Sequence, residues 1–471
     1  MTVENQKLVE PFGHFSPLSK LERIWSARVP GKAICRKRVQ SFDPLSGASF
    51  SPMEYSFEDI DHLHVKEAPT KSWIDDAFLA FVKGEFSSGE ERRPAPGLPE
   101  IIAERYIERD IFAHYMLSCE REMLYPYHEA TDRHTDQDLF ENFKRLLTDD
   151  GLGNKKNAGF APFEELSRRI EEWAEGENRL LCVLPSFPFK DQSRLRVGPA
   201  TADAFDLGEI ALLIRLHLLS LAFYQFHPWG VDWLIAADGN FYADMFGIPR
   251  EQAESYFEKI RLERTAMNLS GTLSILDLEE IMLHYRQGCS TAFDRDKDLI
   301  LNRIQEISVS DDENLSKAFA VLKRGMRQNQ STREFETYVT ADELWKICNW
   351  ESLQGDESEN VKGLHRDLEV KATEIAIHYA AENIVLKRHD VLNRVFPDSM
   401  RTTIHAKEGQ VAVPQLGSCF PWNGVAYIPD PNNFSAKSLQ VKRFHDLTRK
   451  SPQLVAYKDR ISGSTLFYSD P

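Results

Sequence analysis

Leu180-Leu-Cys-Val-Leu-Pro-Ser-Phe-Pro-Phe-Lys190 is the stretch on which the fold turns. Its opening residues form a continuous apolar run of the length expected for a buried strand. Pro185 and Pro188 then stop regular structure, because each fixes its own φ and lacks a backbone N–H. Lys190 is thereby predicted on a stiff loop at the carboxyl end of the strand, which in an open α/β sheet is where ligands bind. Directly after it comes Asp191-Gln-Ser-Arg194-Leu-Arg196-Val-Gly198, so three cations fall within seven residues. In a chain of formal net charge −16, that local excess points to a pocket for an anion. The plainer account is a basic loop facing water.

Outward from this strand the pattern alternates. Residues 206–226 are nearly all apolar apart from Glu209, Arg215, His217 and Gln225, which predicts a largely buried helix. Asp206 stands at its start, and Glu209 completes an Asp-x-x-Glu capping signal. Residues 231–237 read as the next strand, stopped by Asp238-Gly239. Pro249 opens a helix to about Met267, and Leu273-Ser-Ile-Leu reads as a third strand. Such alternation predicts a mainly parallel sheet with right-handed crossovers. Residues 290–390 read as helical and charged, and strand-like runs return at 402–405, 410–413 and 424–428. Upstream, helical spacing is expected over residues 99–124 (Ile101, Ile102, Tyr106, Ile107, Ile111, Phe112), 138–147 and 162–176. The expected fold class is α/β: a Rossmann-like, mainly parallel sheet flanked by helices, with a helical insertion and an N-terminal extension.

Charged residues at 28% and hydrophobic ones at 42% describe an ordinary globular protein, and 471 residues can bury a large core. The acidic balance argues against nucleic acid, which calls for a basic footprint, and against an anionic membrane surface. Six scattered cysteines, with no C-x-x-C, read as free thiols in a reducing compartment. The first residues carry no apolar signal core and no run approaches a membrane span, so a cytoplasmic setting is expected.

Four segments together resemble the pyoverdine/dityrosine biosynthesis family, whose characterised members are isonitrile (isocyanide) synthases. They are LPSFPFK at 184–190, the G-x₇-D-x-x-E run from Gly198 to Glu209, AADGNFYADMFGI at 236–248, and Phe396-Pro-Asp-Ser-Met-Arg401-Thr-Thr-Ile-His405 followed by Phe420-Pro-Trp-Asn423. Each is weak alone; their order over more than two hundred residues makes the resemblance specific. Two positions depart from the family pattern: Asn423 stands where it usually has His, and Thr403 where it usually has Ser. The resemblance covers roughly residues 100–430. On it, residues 1–95 are an N-terminal extension without an assigned role, 96–430 an α/β catalytic domain, and 431–471 a C-terminal tail packing on that domain.

The resemblance implies a reaction between an α-amino acid and ribulose 5-phosphate that converts the amine to an isonitrile. It implies no metal, redox cofactor or ATP. Such chemistry needs a cationic phosphate site, a carboxylate for the amine, proton-shuttling groups and a pocket that excludes water. Lys190 is the first candidate for the catalytic or phosphate-binding cation, with Arg194 and Arg196 as further phosphate contacts. Arg401 and His405 share a strand parity, so a strand would point both to one side. Arg401 would clamp phosphate or carboxylate, and His405 would be a general acid/base. Asp238 and Asp244 match the family's DG-x₄-D pattern and are candidate catalytic carboxylates, with turn chemistry as the plainer account of Asp238. Asp206 and Glu209 match it too, although capping explains them nearly as well. Phe187, Phe189, Trp229 and Trp422 could stack on an aromatic substrate such as tyrosine or tryptophan, or be core.

Two other readings stay open: an N-formyl amino acid as product, and a non-catalytic family member acting as a binding subunit. A downstream oxygenase or assembly-line enzyme is the partner that analogy suggests. His134-Thr-Asp136 fits a non-haem iron pattern, but such matches arise by chance in a chain with 14 histidines and 73 acidic residues. His62-Leu-His64 lacks a partner pair. No G-x-G-x-x-G follows either strand, and neither G-x₄-G-K-[ST] nor G-x-S-x-G occurs, so nucleotide and serine-hydrolase readings lack their loops.

Overall fold

A computed structural model describes most of residues 99–122, 180–308 and 389–471, the paired strands β1 (Glu85–Ser88) and β2 (Glu91–Pro94), and isolated positions elsewhere. Its centre is a five-stranded sheet built from β4 (Leu180–Ser186), β5 (Val231–Ala237), β6 (Leu273–Asp277), β7 (Met400–Thr403) and β8 (Val411–Ala412). The order is β6-β5-β4-β7-β8, and every pairing is parallel. The chain therefore runs outward from β4 in one direction, then returns to continue from β4 in the other. That reversal makes a crevice at the carboxyl ends of β4 and β7, the place where ligands bind in such folds. The α/β class and the Rossmann-like sheet expected from the alternation are what the structure has.

The helices follow from the same pattern. After β4 come the short α2 (Arg194–Val197) and the long α3 (Leu207–Phe223), which packs on β5. Between β5 and β6 lie α4 (Gly239–Phe246) and α5 (Arg250–Ala266), the latter preceded by Pro249 in an extended conformation. Next come α6 (Leu278–Cys289) and α7 (Ala292–Ser308), and α6 packs on both α7 and α8 (Val391–Val395). Strand β4 is apolar and almost wholly enclosed, as a parallel strand covered on both faces should be.

A second, mixed sheet flanks the first. Its order is β10 (Gln440–Lys442), β9 (Val425–Tyr427), β12 (Thr465–Ser469), β11 (Gln453–Asp459) and β3 (Glu100–Ile107). Here one expectation fails: residues 99–124 are not one helix. Glu100–Ile107 is a strand parallel to β11, and the helix, α1, begins only at Arg109 and ends at Glu122. Three β-branched isoleucines and Tyr106 suit an extended chain as well as a helical stripe, and β11 supplies the hydrogen bonds that decide between them. The helices expected at 138–147 and 162–176, and most of the helical region expected between 309 and 388, lie outside the described residues. Among the described residues, no helix is long and apolar enough to cross a membrane. Cys182 and Cys419 are buried and in no disulfide.

Candidate functional site

The loop after β4 is held by an enclosed ionic knot. Lys190 is fully buried, and its Nζ donates to Asp206 Oδ2 at 3.2 Å, to Glu209 Oε1 at 2.8 Å and to the carbonyl of Pro421 at 2.8 Å. The two acids are the capping box of α3. The Asp206 backbone N–H donates to Glu209 Oε2 at 3.0 Å, and the Gly208 N–H donates to Asp206 Oδ1 at 2.7 Å. Tyr256 of α5 donates its hydroxyl to Glu209 at 3.1 Å, and the Ala426 N–H of β9 donates to Asp206 at 3.1 Å. One cation thus ties the β4 loop, the start of α3 and the second sheet together. Burial alone would push the lysine pKa down, but Asp206 and Glu209 outweigh it and hold the ammonium charged. Burial pushes Glu209 the other way, upward, and its neighbour Asp206 adds to the rise. All three ammonium protons are accepted within the knot, which leaves no donor for a ligand.

A second group, reaching from β7 to the carboxyl ends of β5 and β6, is built in the opposite manner. Asp238 follows β5 directly and its carbonyl accepts the Tyr242 N–H of α4 at 3.2 Å. Its carboxylate Oδ1 is shielded from solvent and has no hydrogen-bond partner. Burial, with Asp277 adding to it, raises this carboxyl to about 7 against the opposing pull of its own backbone N–H and of Arg401. Arg401 lies on β7. Burial lowers its guanidinium pKa, while Asp390, Tyr242 and Asp238 draw it back up. Among the described residues, Arg401 has neither a hydrogen bond nor an ion pair, and it does not touch Asp238.

Strand register explains why the two are near each other. Arg401 pairs with Val183 of β4, which pairs with Leu234 of β5. Asp238 lies four residues beyond Leu234 and so shares its parity, which puts Asp238 and Arg401 on one face of the sheet. Asp277, at the end of β6, accepts from Asn240 Nδ2 and caps α6 through the Glu279 N–H at 2.8 Å. With the amide N–H₂ turned to Asp277, the Asn240 Oδ1 faces away, shielded and without a partner. Ser186, the last residue of β4, is 3% exposed, and its Oγ also lacks a partner.

The loop itself is strained and tightly seated. Phe187 has φ of 58°, a left-handed conformation that costs an L residue about 1–2 kcal/mol and gathers at functional sites. Its ring packs 5.1 Å from Trp422, which stacks on Phe420. A Cβ on Gly239 would come within 1.6 Å of the Pro188 carbonyl oxygen, so only glycine lets the loop close over the start of α4.

The residues expected from sequence fall into three groups. Lys190, Asp206 and Glu209 meet in the knot, and Asp238 and Arg401 share one face of the parallel sheet. Asp244 is exposed on α4, within electrostatic reach of Arg250, and does not join Asp238. Arg194 and Arg196 are on α2, with Arg196 buried. His405 and Trp229 lie outside the described residues, as do His62, His64, His134 and Asp136. Phe187, Phe189, Trp422 and Asn423 are buried. Asn240, Asp277 and Ser186 were not singled out from sequence. Asn240 and Asp277 stand where a helix begins, and capping accounts for such residues so well that nothing marked them. Among the described residues, no group of three or more His, Cys, Asp or Glu is placed to hold a metal ion.

Comparison with known proteins gives one family. A family model described as "Pyoverdine/dityrosine biosynthesis protein" matches residues 170–445, more than half of the chain. Among solved structures, the PvcA protein from Pseudomonas aeruginosa is similar at 18% sequence identity, with 71% of this chain and 100% of that chain covered and a TM-score of 0.47. No curated protein matches the sequence.

Proposed function

The chain belongs to the pyoverdine/dityrosine biosynthesis family, and from that premise we propose that it is an isonitrile synthase acting on an α-amino acid and ribulose 5-phosphate. The observation that carries the reading is the crevice at the ends of β4, β5 and β7. It holds an unneutralised carboxyl, Asp238, and an unneutralised guanidinium, Arg401, on one face of the sheet. Unpaired ionisable groups at a strand-end switch point mark a polar ligand site.

In this reading Asp238 takes a proton from the substrate ammonium, which frees the amine to condense with the sugar ketone. A carboxyl near 7 suits that task at neutral pH, since it accepts and returns a proton with little bias. The sugar C2 carbon becomes the isonitrile carbon, and the remainder leaves as phosphate and small carbonyl fragments. Arg401 anchors an anionic group of the substrates. The knot around Lys190 keeps the β4 loop and its aromatic wall closed against water, which would hydrolyse the imine. With its three donors spent, Lys190 enters the chemistry directly only if the knot opens. A cytoplasmic setting and a downstream oxygenase or assembly-line partner belong to the same proposal.

The test is purified protein with ribulose 5-phosphate and a mixture of the twenty amino acids, followed by phosphate release and a tetrazine probe for isonitrile. A trapped adduct from the wild type, absent from Asp238→Asn, is the expected result. Phosphate release with an N-formyl product by mass spectrometry would move the assignment to the formamide branch. Folded protein that gives neither signal would overturn the proposal.

A further inference from the structure

We infer that the amino acid binds as its zwitterion across the crevice, its ammonium held by Asp238 and Asn240 and its carboxylate by Arg401, so that Arg401 is not the phosphate clamp. The inference rests on the proposed reaction and names which substrate group each residue takes.

Three observations on the page support it. First, the register places Arg401 level with Leu234, four residues short of Asp238 on the same face. Four strand rises along the chain and two inter-strand spacings across β4 separate their Cα atoms by about 16 Å. The long arginine side chain closes that distance far enough for the two charges to influence each other, yet they form no ion pair. A gap between opposite charges that attract but do not touch is the shape a small zwitterion fills.

Second, the acceptors match an ammonium. Asp238 Oδ1 and Asn240 Oδ1 are both shielded and without partners, and Asn240 cannot turn its N–H₂ inward without abandoning Asp277. Two buried oxygens without donors, two residues apart at the start of α4, call for a ligand group rich in N–H.

Third, the charge balance excludes a phosphate. Arg401 stands among carboxylates: Asp390 and Asp238 act on it directly, and Asp277 lies beyond Asp238. A sugar phosphate dianion there would meet three acids with one cation to offset them. An amino acid zwitterion adds no net charge and brings a positive group to Asp238.

Steady-state kinetics with each substrate varied in turn test this, using the amino acid that the trapping reaction identifies. Charge-assisted hydrogen bonds of about 1.5–3 kcal/mol correspond to about a ten- to hundredfold change. Arg401→Lys should raise KM for the amino acid by that factor and leave KM for ribulose 5-phosphate within about twofold. Asn240→Ala should act in the same direction, by about tenfold. Ligand-observed NMR of the twenty-amino-acid mixture without the sugar gives an independent reading: the same amino acid should bind the wild type and be lost in Arg401→Lys. A rise confined to KM for ribulose 5-phosphate, or unchanged amino-acid binding in a folded Arg401→Lys protein, would overturn the inference while the proposed reaction stood. If the wild type itself neither turns over nor binds any amino acid, both fall.

Discussion

Asp238→Asn should make this protein more stable while stopping its reaction, and the gain should depend on pH in a way the site defines. The Asp238 carboxyl is raised from an ordinary 3.8 to about 7, chiefly by burial. The folded state therefore keeps a proton that the unfolded chain releases between about pH 4 and pH 7. By linkage, stability falls as pH rises through that window, is unaffected below it and carries the full cost above it. Each pKa unit is about 1.36 kcal/mol, so a displacement of about three units gives a ceiling of about 4 kcal/mol at pH 8. The residue is half-buried as a whole, so water at the crevice mouth reduces that figure. Asparagine keeps the shape and the unpartnered oxygen but carries no charge, so the variant escapes the cost.

The assay is urea unfolding of wild type and Asp238→Asn at pH 5, 6.5 and 8. The gain from the substitution should grow by about 1.4 kcal/mol per pH unit up to about pH 7 and then level off. A gain that does not change with pH, or a loss of similar size at all three, would refute the claim that Asp238 is a charge held without compensation. The accompanying loss of isonitrile formation would make this a trade of stability for chemistry of the kind expected where an active site is built from poorly satisfied groups.

In the proposed reaction the same carboxyl would set the pH profile. The rate constant kcat/KM should climb with pH through about 7 as Asp238 ionises, and Asp238→Asn should abolish that limb. At the knot, Lys190→Met leaves Asp206 and Glu209 buried without their cation and should cost about 3–5 kcal/mol in urea unfolding. Adding Glu209→Gln removes a buried carboxyl left without its cation and should recover part of that loss; a double variant less stable than the single one would contradict the account. Activity lost in a Lys190 variant thus says nothing about catalysis until its stability is measured. Gly239→Ala forces a methyl into the Pro188 carbonyl and should cost about 3 kcal/mol or more, since backbone rather than a side chain must yield; a Tm equal to wild type would show that the loop is seated less tightly than described.

What could be read from the sequence follows physical range. Strands β4 to β6 and α3 announced themselves because each is a local pattern: an enclosed apolar run, a capping box, a proline at a helix start. Strand β3 did not. Its pairing lies with β11, and Gln453 reaches Glu100 across 353 positions of sequence. Ile101, Ile102, Tyr106 and Ile107 satisfy a helical stripe and an extended strand alike, and only that distant partner settles the matter. The site divides in the same way. Lys190 stood out as a cation on a stiff loop in an acidic chain, and the natural inference was an anionic substrate. Its counterions are instead the chain's own Asp206 and Glu209, which the capping box sets side by side at the start of α3. A motif marks which residues are exceptional, but neutralisation is a three-dimensional property that spacing does not carry. This is why the two clusters mean different things. Around Lys190 every ammonium proton is answered within the protein, so that group is closed. At the strand ends an acid and a base attract across a gap without joining, and two shielded oxygens on the acid's side lack donors. Folded proteins are stable by only about 5–15 kcal/mol, and an uncompensated buried carboxyl uses a large share of that. A ligand that completed the set would offset such a cost, which is the ground for proposing the chemistry at Asp238 and Arg401.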